Sequence, residues 1–175
     1  MYSGNCSLSP GTYRPSVFEP SVAFTLDSAS QAQGQSKGMI DLYNPDTNES
    51  VVFLDARALY GNQDGSAIAL EPTVDGMLAY FKDQQWMKVS DLQHISVGGR
   101  PAIEFDVTSD IADQLTWLFM DPYPNGWVPG SHLRVVLGDA QGTCLVLIAE
   151  HDGPASFDAF DRQFDALVQS IVFNP

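Results

Sequence analysis

Positive charge is what this chain has least of. Eight lysines and arginines stand against twenty-two aspartates and glutamates, a formal charge of −14. Such a surface repels phosphate backbones and anionic lipid headgroups, so neither nucleic-acid binding nor membrane-surface adsorption is expected. Its plain use is solubility, although a cationic partner or divalent ions would also suit it. Long apolar runs are missing as well. The longest, from Cys144 to Ala149, suits a buried strand and falls far short of the ~20 residues that cross a bilayer, so no membrane insertion is expected. Cysteine is limited to Cys6 and Cys144, in neither a C-x-x-C nor a zinc-ligand spacing. Two states stay open for the pair. One is a bridge from the N-terminal arm to a late strand, stabilising by ~3–5 kcal/mol in chain-entropy terms. The other is two free thiols, with Cys144 a small buried apolar residue.

Catalytic signatures are equally thin. There is no G-x-S-x-G elbow to present a nucleophilic serine. His94, His132 and His151 are scattered, without the i, i+4 spacing of a zinc helix. The stretch 61–65 lacks the lysine and following helix of a phosphate cradle. Glu104 and Asp106 are two apart on an expected strand, and paired carboxylates can act as general acid and base in glycoside hydrolysis. They alternate with Ile103, Phe105 and Val107, however, which is the pattern of a strand with one solvated face. Asp46, Asn48 and Glu49 in one turn, and Asn62 and Asp64 in another, offer the hard oxygens that calcium prefers. Neither set follows the EF-hand register, and Asn and Asp favour turns for backbone reasons alone. No metal, no cofactor and no enzymatic activity are therefore expected.

What the chain does have is enough apolar content, 44% of 175 residues, to build one core. Residues 1–175 read as a single α+β domain, with 1–16 an irregular N-terminal arm. The opening Met1-Tyr2-Ser3-Gly4-Asn5 is short and polar, as expected of a mature or trimmed start. Residues 22–26 read as a strand, 28–37 as a loop, and 38–43 with 50–55 as a hairpin around the turn formers of 44–48. Residues 61–65 read as a further loop. Thr73 is a good N-cap for a helix carrying Val74, Met77, Leu78 and Phe81 on one stripe. Residues 92–97 and 101–108 form a second hairpin. If its two apolar sets are to share one face, the loop is the odd-numbered Gly98-Gly99-Arg100. Residues 115–120 read as a strand and 121–130 as a proline-stiffened loop. Residues 133–137 and 143–150 give a third hairpin. A last helix after Pro154 aligns Phe157, Phe160, Phe164, Leu167, Val168 and Ile171. The expected architecture is a largely antiparallel sheet flanked by two main amphipathic helices.

Three segments carry a resemblance. Leu8-Ser9-Pro10-Gly11-Thr12-Tyr13 with Phe18-Glu19-Pro20 and Phe24-Thr25 is one. The run from Ile95 to Val107 is the second. The closing strand pair of 139–151 with a helix ending at Ser170-Ile171-Val172-Phe173 is the third. Together they resemble a family of secreted bacterial lipoprotein-like domains, over nearly the whole chain. The order of helices and strands is similar to the PsbP-like sandwich of an extrinsic photosystem protein. The chain departs from that family in lacking a Gly-Trp shortly after the first strand. The resemblance implies an extracytoplasmic location, secreted or anchored to a bacterial cell envelope, and a non-enzymatic role. It supplies no functional residues.

The residue-level expectation comes from aromatics. Trp117, Phe119, Tyr123 and Trp127 lie in or beside the stiffened stretch 121–130, and rings held there can stack on sugars or anchor a protein interface. The expected ligand-binding residues are Tyr123 and Trp127, with Trp117 less exposed and Asp121 orienting a polar group. The leading expectation is a non-catalytic binding or assembly domain whose partner is an unknown protein or glycan. A carbohydrate- or small-ligand-binding module is the alternative, and a hydrolase using paired carboxylates is the last choice.

Overall fold

A computed structural model of the chain describes residues 6–47, 49–63, 66–109, 115–120, 123–127, 132–151 and 157–174, with the side chains of 62–63, 66–67, 115–120, 123–127, 151 and 157–159 outside the description. The elements in chain order are β1 (Cys6–Leu8), β2 (Gly11–Tyr13), β3 (Val22–Leu26), β4 (Ser30–Gln35), β5 (Met39–Asn44) and β6 (Glu49–Asp55). A 3-10 turn at Ala56–Ala58 leads to β7 (Leu59–Gln63), β8 (Ser66–Ala69), α1 (Val74–Asp83), β9 (Lys88–Val97) and β10 (Arg100–Thr108). The remainder is β11 (Leu115–Met120), β12 (Tyr123–Trp127), β13 (His132–Asp139), β14 (Cys144–His151), α2 (Phe157–Ser170) and β15 (Val172–Phe173).

The centre is an eight-stranded antiparallel sheet in the order β1-β4-β5-β6-β14-β13-β10-β9. A β12-β11-β7-β8 sheet and a β15-β3-β2 sheet accompany it. The fold class is thus α+β, as expected. Strand β14 explains the arrangement best. Leu145, Leu147 and Ala149 join one core cluster, while Cys144, Val146 and Ile148 join the other. A strand buried on both faces needs no alternation, so its sequence is a continuous apolar run. One face meets α2, through Phe160, Phe164, Leu167 and Val168, together with β3. The other meets α1, through Met77, Tyr80 and Phe81. The α1 stripe follows the sequence expectation, and the Thr73 hydroxyl caps the helix by accepting the Gly76 amide at 3.0 Å.

Several expectations need correction. Residues 28–37 are not a loop: β4 occupies 30–35 and pairs with both β1 and β5. Its Ser-Gln-Ala-Gln-Gly-Gln composition hides a strand that is fixed by its neighbours' hydrogen bonds rather than by side-chain pattern. Strands β1 and β2 likewise order part of the N-terminal arm, and β7 with β8 form a hairpin across the expected 61–65 loop. Within 121–130, residues 123–127 form β12 against β11. The hairpin of β9 and β10 turns on two residues, since Val97 pairs with Arg100 and Gly98 and Gly99 take φ of +57° and +77°. Positive φ at both central positions is the type I′ geometry that glycine permits. Ala102 therefore joins Val97 and Ile95 on the α2 face, whereas Ile103, Phe105 and Val107 lie on the α1 face. The apolar sets need not share a face, because both faces are covered.

The disulfide is excluded. Pairing carries Cys6 through Ala32, Leu42 and Val51 to the level of Ala149, five residues along β14 from Cys144. Four strand spacings alone amount to about 19 Å, and bridged Cα atoms stay within about 7 Å. Both thiols are free, Cys6 exposed and Cys144 buried. Burial, helped by the negative charge of Asp139 and Asp55, pushes the Cys144 thiol up to about 12.

Candidate functional site

The N-terminal strands do more than cover an edge. Tyr13 at the end of β2 donates its hydroxyl to the Ser9 carbonyl at 2.5 Å, closing the corner between β1 and β2. Its ring then stacks on Phe24 of β3 with centroids 6.0 Å apart. This holds the β15-β3-β2 sheet against the β1-β4-β5 edge of the central sheet without filling the space between them. A groove of about 250 Å³ remains. Phe24, Ile40 and Leu42 line it from the core, and Leu8, Tyr13 and Ala32 form apolar walls. Gln35, Ser16 and the exposed Arg14, next to Pro15, supply its polar lip. No carboxylate lines it, which is notable in so acidic a chain.

A second opening lies on the same face, beside α2. It is about 50 Å³ and is bordered by Asp27, Tyr43, Asn44, the buried Glu49, and Phe160 and Gln163 of α2. That is room for a few waters rather than an organic ligand.

The third feature is ionic. The register sets Asp106 directly opposite Arg134 on the α2 face. Arg134 donates from Nε to Asp106 at 2.9 Å and meets Asp161 of α2 at 3.1 Å. His132 Nε2 approaches the Asp106 carboxylate at 3.4 Å. Burial raises the proton affinity of Glu104, and the nearby Asp165, Asp106 and Asp161 add to that against the opposing pull of Arg134. Burial likewise raises that of Asp161. The solvated face expected for Glu104 and Asp106 is thus replaced by an ion-pair cluster between sheet and helix. A group of opposed charges held this way orients α2; Glu104 and Asp106 line neither of the two openings described above.

The aromatic residues singled out from sequence fall partly outside the described residues. Asp121 does so entirely, as do the side chains of Trp117, Tyr123 and Trp127. The backbone places Tyr123 opposite Met120 and Trp127 opposite Leu115, on a strand pair rather than in a loop. Of the turns weighed for calcium, Asn48 and Asp64 also lie outside the described residues, and the Asp46 amide donates to the Asn44 side chain at 3.0 Å, a local turn bond. Among the described residues no group of three or more His, Cys, Asp or Glu side chains gathers as metal ligands would. No described helix is long and apolar enough to cross a membrane. Sequence reasoning missed the groove because its lining is collected from five strands and a connecting segment. The one available signal was Arg14, a rare base beside a proline in an acidic chain. No protein-family profile matches this sequence, and no curated protein is detectably similar to it.

Proposed function

We propose that the chain is a non-catalytic, extracytoplasmic binding domain and that the groove between the β15-β3-β2 sheet and the β1-β4-β5 edge of the central sheet is its binding site. An extracytoplasmic setting and a PsbP-like sandwich are what the resemblance to secreted bacterial lipoprotein-like domains implies. The observation that carries the binding role is the 250 Å³ groove with apolar walls and a short polar lip. Small-ligand sites have this composition. Titration with 1-octanol, followed by saturation-transfer NMR, tests the groove with an uncharged probe. Wild type should bind, and filling the groove by Ala32→Phe should abolish binding while circular dichroism stays native. Gln35→Trp fills it from the lip and serves if the first variant does not fold. Absence of octanol binding, or binding unchanged in folded filled variants, would overturn this reading.

A second reading keeps the aromatic strands as a protein- or glycan-binding surface. It is favoured by Tyr60, which is 42% exposed on β7 and pairs with Phe119 of β11. Trp127→Ala should then weaken binding to a glycan panel without lowering the melting temperature. A lowered melting temperature would instead make Trp127 part of the core.

A further inference from the structure

Among the described residues three arginines are held by acids, whereas Arg14, like Arg162 of α2, is not. Arg57 is held by Asp55 at 2.7 Å, Arg100 faces Asp139 at 3.6 Å, and Arg134 is shared by Asp106 and Asp161. Among the described residues Arg14 has no carboxylate partner, although acids outnumber bases almost threefold along the chain. It stands at the lip of an apolar groove that no acid lines. A guanidinium in that position offers a planar pair of donors matched to a carboxylate. The space behind it has a size limit. A 150 Å³ apolar cavity accommodates benzene, so by proportion 250 Å³ takes a tail of about ten apolar heavy atoms.

Resting on the binding role proposed above, we infer that the groove takes a small amphipathic carboxylate, its short acyl tail among Leu8, Tyr13, Phe24 and Ile40 and its head on Arg14. Charge and shape both select this class. A neutral tail would leave the arginine unused, and a head without a tail would leave the apolar walls wet. Gln35 and Ser16 add hydrogen-bonding capacity at the same lip.

Calorimetric titration of the full chain with octanoate, 1-octanol and acetate tests the inference, using wild type, Arg14→Gln and Arg14→Lys. A charge-assisted hydrogen bond should make octanoate bind about tenfold or more tightly than octanol. Arg14→Gln should erase that preference, with octanoate falling to the affinity of octanol, while the melting temperature stays native. Arg14→Lys should retain part of it, and added salt should shrink it. Equal binding of octanoate and octanol, indifferent to Arg14→Gln, would overturn the carboxylate while leaving the groove as a binding site. Acetate binding as tightly as octanoate would overturn it as well, because the tail would then contribute nothing. If neither octanoate nor octanol binds, the carboxylate and the binding role fall together.

Discussion

On the α1 side of the central sheet, Phe81 meets Phe105 edge-on at 5.2 Å, and both are fully covered along with Val135, Leu137 and Val146. On the α2 side, Phe24 and Phe53 pack as closely, at 4.9 Å, and Phe164 is equally buried. Yet that side also carries Arg134 between two carboxylates, Glu104 half-buried beside them, and two openings. Among the described residues the first face packs through apolar contact. The other is closed by a helix held partly through charge and by a small sheet that stops short of filling its corner. The larger of these two openings lies where the β15-β3-β2 sheet meets the β1-β4-β5 edge of the central sheet.

The difference can be broken most severely from the closed side. Phe81→Ala should cost about 3–5 kcal/mol, since it removes a fully buried ring and leaves a cavity. Chemical denaturation measures this, and octanol binding by the protein that remains folded should be unaffected. Asp106→Ala should cost about 1–3 kcal/mol, because the largely buried Arg134 guanidinium loses one of its two carboxylates and keeps Asp161 alone. A loss comparable to that of Phe81 would mean that charge, not packing, holds both faces.

A smaller effect concerns pH. Glu104 and Asp161 bind protons more tightly in the folded state than their ordinary values, chiefly because burial disfavours the charged form. Their contribution to stability is complete below the unfolded carboxylate range near ~4 and is lost as pH rises through the raised folded values. The unfolding temperature should therefore climb as pH falls from 7 toward the unfolded carboxylate range. The groups facing Glu104 are Arg134, Asp106, Asp161 and Asp165. Glu104→Gln should stabilise at pH 7 by less than about 1 kcal/mol, given partial exposure, and flatten the pH slope. An unchanged slope would place the titration elsewhere, with Asp41, likewise raised by burial, the next residue to replace. The smallest perturbation is a thiol count. A disulfide-exchange reagent should titrate Cys6 in the native protein and Cys144 only after unfolding, because the latter is buried and its thiolate is strongly disfavoured. Two unreactive sulfurs in denaturant, released by reductant, would reinstate the bridge.

Legibility in the sequence followed the strength of local pattern. The Thr73 cap, the stripe of α1 and the aromatic stripe of α2 announce themselves, as do the hairpin of β5 with β6 and the apolar run of β14. The polar β4 does not, because its strand state depends on partners distant in sequence. The pair Gly98-Gly99 was visible as a turn, but its length was misjudged by supposing that one sheet face stays wet. The same supposition put Asp106 in solvent, where the structure pairs it with Arg134, twenty-eight positions along the chain. The groove was illegible for a related reason. Leu8 and Tyr13 read as part of an irregular arm, Ala32 as loop, and Phe24 and Ile40 as separate strands, and only the meeting of the β15-β3-β2 sheet with the β1-β4-β5 edge gives them a shared opening. Tyr123 and Trp127 were legible as aromatics, but the type of element carrying them was not.

The central claim is that the incompletely closed corner of the α2 face is where this domain binds. Amide and methyl shift mapping of the labelled chain during titration with octanoate addresses it directly. The account predicts saturable shifts concentrated at Leu8, Tyr13, Arg14, Ala32 and Ile40, with the α1 face silent. Shifts confined to β11 and β12, or none that saturate, would contradict it.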